Sequence, residues 1–162
     1  TKAEGTGEPA RAIELSDGSV ITGKTSELMG ATSAMLLNAL KKLAGLPDEL
    51  RLISPSVIEP IQQLKVNHLG NHNPNLHIAE MLIALTICAG TDDNAAKVVA
   101  KLDELKGCEA HSSVILSGED QRTLTKLGIN LTCEPKYQTK KLFHNNLYFS
   151  KIQFLYYFVQ SS

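Results

Sequence analysis

The sequence predicts an α/β fold: a β-hairpin followed by a βαβ-containing mixed or parallel sheet, with helices packed on it in a three-layer, Rossmann-like manner. Three observations carry this expectation. Two short β-rich runs flank Ser16-Asp17-Gly18 near the start. Apolar residues then recur at helical spacing in several separate segments. Finally, a strand, a helix and a strand follow one another within residues 111–133, which is the pattern of a compact parallel unit.

Each element has a local reason. RAIEL (11–15) and SVITG (19–23) hold the β-branched and apolar residues that favour an extended surface, and Ser-Asp-Gly between them is hairpin punctuation. Met35, Leu36, Ala39, Leu40 and Leu43 share one helical face, and Gly45 ends it. LRLIS (50–54) reads as a buried strand. Ser56 is the expected cap of the next helix, with Val57, Ile58, Ile61, Leu64 and Leu69 as its stripe and Pro60 close enough to the start to be tolerated. Gly70 stops it, and Asn71-His72-Asn73-Pro74-Asn75 is a loop. A strongly apolar helix follows, with Ile78, Met81, Leu82, Leu85 and Cys88 inward and Gly90 at its end. Another carries Val98, Val99, Leu102 and Leu105 and is expected to run to Gly107. HSSVILS (111–117), GEDQRTLTKLG (118–128) and INLTC (129–133) close the pattern, with a right-handed crossover between parallel strands.

Composition narrows the function classes. A chain of 162 residues makes one domain with room for a tail. Lys and Arg number 16 against 17 Asp and Glu, and this near balance argues against a nucleic-acid surface. No apolar run approaches the roughly 18 residues of a membrane span. Cys88, Cys108 and Cys133 lack a disulfide-framework spacing, so they read as reduced thiols of a cytoplasmic protein. TKAEGTGEPARA at the start has neither an initiator Met nor a signal-peptide pattern, so the expectation is a piece of a longer chain. All eight aromatic residues lie at or after Tyr137, and seven of them between Phe143 and Phe158. We therefore expect a linker over 1–10, an α/β domain over 11–144, and a non-native or disordered tail over 145–162.

Several motifs bear on chemistry. Gly18-Ser19-Val20-Ile21-Thr22-Gly23-Lys24-Thr25 matches the phosphate-loop pattern letter for letter, but Val20 and Ile21 resist the positive φ angles that such a loop needs. We read Gly18, Gly23, Lys24 and Thr25 as a spurious match within a hairpin, and expect no cofactor. His68, His72 and His77 straddle two helix ends. His68 and His77 are the weak metal candidates, without the spacing of a compact zinc site. Cys108 and His111 are three apart, as a nucleophile and base could be, although an extended strand would point them to opposite faces. In open α/β sheets, ligands gather beyond the carboxyl ends of the strands. That rule, with the residue types, makes His111, Ser117, Cys133 and Glu134 the weak catalytic candidates.

Four blocks, RAIELSDGSVITGKTSELMGATSAMLLNALKKLAG, LISPSVIEPIQQLKVNHLG, LKGCEAHSSVILS and KLGINLTCEPKYQTKKL, resemble the C-terminal region of the bacterial family catalogued as domain of unknown function 1846, or uncharacterised protein family 0371. The resemblance covers about residues 9–144. It implies the last third of a cytosolic protein with a phosphate-loop-like segment upstream, so that any nucleotide chemistry would belong mainly to that part. The expected role is a module for docking or self-association, or one wall of an interdomain cleft, and not a catalyst by itself. The alternative is that it lends residues to a nucleotide- or phosphate-using site. The expected partners are the N-terminal part of the same protein and a second copy of the chain, with no nucleic acid and no membrane.

Overall fold

The computed structural model describes residues 10–134. The expected tail over 145–162 lies outside the described residues, as does most of the expected linker. The elements are β1 (Arg11–Glu14), β2 (Val20–Thr22), α1 (Ala31–Leu43), α2 (Pro55–Asn67), α3 (Ile78–Ala89), α4 (Asp93–Val99), a 3-10 turn (Leu102–Leu105), β3 (Glu109–Ser112), α5 (Gly118–Lys126) and β4 (Asn130–Cys133).

The four strands form one mixed sheet in the order β2-β1-β3-β4. β1 is antiparallel to both neighbours, and β3 and β4 are parallel. The hairpin and the βαβ unit are thus both present, joined side by side, in an α/β fold with helices packed on the sheet. Gly18, at φ +84°, makes the hairpin turn, a conformation open to glycine and costly for other residues.

The register sorts side chains by face. Ile13 lies opposite Ile21 and Ala110, and Ala110 opposite Leu131, so these four share one face. Ala12, Thr22, His111 and Thr132 take the other. α1 packs along β1 and β2, α5 along β4, and α3 touches α1, α2, α4 and α5. The core is aliphatic, with Ile13, Leu36, Leu40, Leu76, Ile78, Met81, Leu85, Leu105 and Leu124 buried together. Each such side chain contributes about 1.5–3 kcal/mol of burial.

Four local expectations are corrected. LRLIS is not a strand: Leu52 and Ile53 bury their side chains, but the segment pairs with no described sheet edge. Ser54, not Ser56, caps α2 by accepting from the Ser56 amide, so Pro60 sits in the second turn and not the first. The expected fourth helix breaks after Val99 and resumes as the 3-10 turn. The third strand lies at 109–112, not 111–117: the Ser112 hydroxyl bonds the Val114 carbonyl and turns the chain out of the ladder.

Candidate functional site

Four elements bring polar side chains to the carboxyl ends of the parallel strands. In the register, Arg11 lies opposite Ser112 and Ser112 opposite Cys133, so one row across β1, β3 and β4 holds a guanidinium, a hydroxyl and a thiol. This row belongs to the face that carries Ile13 and α1. Arg11 donates from Nε to the buried Thr32 hydroxyl in the first turn of α1 (2.9 Å). Burial lowers the Arg11 pKa, and the charges of Asp120 and Cys133 act against that shift.

Asp120 comes from the first turn of α5, where Ser117 is the N-cap and accepts from the Asp120 amide (3.2 Å). The buried Asp120 carboxylate accepts from the Ile78 amide through Oδ1 (3.1 Å), so a side chain of α5 caps the start of α3. Its other oxygen lies 3.9 Å from Nδ1 of His77, and Glu119 lies 4.0 Å from Nε2 of the same ring. His77 is therefore an imidazole between two carboxylates, at the N-cap of α3. Its own amide donates to Glu80 (2.9 Å), and Glu80 pairs with the buried Lys65 (2.8 Å). The cluster couples a proton-carrying ring, a cation suited to phosphate or carboxylate, and a thiol.

The sequence-based candidates are dispersed by this geometry. Cys133 is in the cluster, and Ser117 supports it as a cap. Glu134 follows β4 and donates its amide to the Ser112 carbonyl (2.9 Å). His111 projects from the opposite face, largely buried, with Glu109 3.8 Å away. Cys108 is buried, and burial raises its thiol pKa against the partial offset of the Ser16 amide, the reverse of an activated nucleophile. Cys108 also borders an open cleft of about 420 Å³ between Glu14–Ser16 and Lys106–Glu109, at the end of β3 opposite to the cluster.

Of the phosphate-loop letters, Gly18 is the hairpin turn, and Val20–Thr22 are paired as β2. Gly23 packs so closely that a Cβ there would overlap the backbone of Met35 and Ala31. Lys24 and Thr25 are exposed in the loop before α1. His68 is the exposed C-cap of α2, and His72 is exposed in the loop that follows. Among the described residues, no group of three or more His, Cys, Asp or Glu side chains is arranged to hold a metal ion.

Sequence reasoning missed Arg11, Asp120 and the role of His77. For Arg11 a signal existed, because alternation puts it on the same side of β1 as Ile13 and Leu15. For Asp120 there was none, since an acid in a first helical turn is favourable anyway.

The fold and the cluster define a small α/β domain with polar groups at the strand ends. The family model described as "Domain of unknown function DUF1846, C-terminal" matches residues 1–143, and the chain belongs to that family. It is 54% identical over 142 residues to a UPF0371 protein of Streptococcus sanguinis, covering 88% of this chain and 29% of the relative. It is 53% identical over 140 residues to a UPF0371 protein of Corynebacterium urealyticum, covering 86% and 28%. A UPF0371 protein of Streptococcus pneumoniae is 53% identical over 142 residues, covering 88% and 29%. The chain thus spans less than a third of the length of these curated relatives.

Proposed function

We propose that this C-terminal domain forms one wall of an interdomain cleft, with the carboxyl ends of β3 and β4 facing the rest of the longer protein. The observation that carries this reading is the convergence of Arg11, His77, Asp120 and Cys133 at that end, where Ala10 also enters the fold. Ala10 is fastened there, its amide donating to the Ser113 hydroxyl (2.9 Å) and its carbonyl accepting from the Ser113 amide (3.0 Å). Pockets form preferentially at domain interfaces, so polar groups beside the entering chain support a site shared across one. Arg11 favours a second reading, in which the domain lends a phosphate-binding group to a nucleotide- or phosphate-using site. Three free cysteines support a cytoplasmic setting.

Hydrogen exchange tests the cleft. The segments matching 76–80, 112–120 and 131–134 exchange more slowly in the family-length Streptococcus sanguinis protein than in this chain alone. Added Mg-ATP slows them further if the second reading holds. Equal exchange in the two proteins would overturn the cleft.

A further inference from the structure

We infer that the outward face of α3 is a docking surface for the upstream part of the same longer protein. α3 reads IAEMLIALTICA, and its single charged residue, Glu80, is engaged by Lys65. Ile78, Met81, Ala84 and Leu85 face the core. On the other side Ala79, Ile83, Thr86 and Ile87 fall at helical spacing, and Ile83 and Ile87 are 60% and 58% exposed. The Thr86 hydroxyl is turned back onto the Leu82 carbonyl (2.8 Å), so the stripe asks nothing of water. A helix apolar on all sides belongs in an interior, yet this one leaves Ala79, Ile83, Thr86 and Ile87 open to solvent.

The occupant follows from length and area. The match is to a C-terminal domain and covers 29% of the Streptococcus sanguinis relative, so most of such a protein lies upstream on the same chain. A tethered partner meets the stripe at an effective concentration in the millimolar range, where a small apolar contact suffices. A second copy would need about 800 Å² per partner, and a helix of 12 residues, roughly 18 Å long, offers less. The contact holds whether or not the strand-end side chains do chemistry, and it is read out at different residues.

The test places Ile83→Glu with Ile87→Glu in this chain, and glutamates at the aligned positions of the family-length Streptococcus sanguinis protein. In this chain the melting temperature stays within about 2 °C, as expected for exposed sites. In the family-length protein it falls by more than about 5 °C, and α3 exchanges faster. Equal responses in the two proteins would overturn the proposal. So would a dimer of this chain, seen by sedimentation, that the double substitution splits, because the occupant would then be a second copy.

Discussion

Arg11 alternates with Ile13 and Leu15 on the helix-facing side of β1, where a guanidinium persists only with partners. It finds the Thr32 hydroxyl and the charge of Asp120. Its inward side was visible in the alternation, but its partners lie 21 and 109 positions away, beyond any local pattern. Cys108 is the opposite case, a residue whose letter suggests chemistry and whose burial suppresses it. With the folded pKa raised above the ordinary 9.0, the unfolded chain loses its thiol proton first as pH rises. The contribution of the neutral thiol is full below that value and is lost above it. The stability advantage of the wild type over Cys108→Ala, read by urea unfolding, therefore shrinks between about pH 8 and pH 10. In the folded protein iodoacetamide modifies the half-buried Cys88 and Cys133 and spares Cys108. An advantage that grows with pH would contradict this account.

α2 and α3 are held together by one buried cation. Lys65 falls on the inward side of α2 with Ile58, is 1% exposed, and binds Glu80 (2.8 Å) and the Asn75 carbonyl (2.6 Å). The clamp fixes both the helix pair and the end of the 68–77 loop that presents His77. Lys65→Ala strands two acceptors, and because Glu80 keeps some contact with water the loss is about 2–3 kcal/mol, below that of a fully buried pair. Lys65→Met with Glu80→Gln, which removes both charges, recovers at least half of it by chemical denaturation. If the double variant is as unstable as Lys65→Ala, the ion pair is not what holds the helices. The helices themselves were legible, since a period of 3.6 over 12 or 13 residues is a strong signal. The strand expected at 50–54 failed because an apolar run states only that side chains are buried. Whether the backbone finds a ladder depends on a sheet edge, and none is offered there.

Every described helix contributes to one contiguous aliphatic core, from Ile13 of β1 to Leu124 of α5. No aromatic residue precedes Tyr137, so the core has no fluorescent reporter of its own. The buried Cys108 supplies a chemical one, because its thiol reacts with a label only when the core opens. Residues 10–134 should unfold as a unit, so the urea midpoint from far-ultraviolet circular dichroism coincides with that from Cys108 labelling. Separate midpoints would mean that the hairpin and the βαβ unit are independent parts. The outward stripe of α3 is conspicuous against that core, because Ile83 and Ile87 stand outside it.

The sequence by itself determined most of the element types, the hairpin, the parallel unit and the family, because propensity, periodicity and the order of the letters are properties of contiguous residues. It also assigned most side chains to an inner or outer side of their own element. Only the tertiary structure decided the strand order, the edge left to β2, and the meeting of Arg11, His77, Asp120 and Cys133. Periodicity orients a side chain relative to its own axis. Which other side chains it meets is set by register and packing between elements far apart in the chain, and those are settled only when the whole core closes.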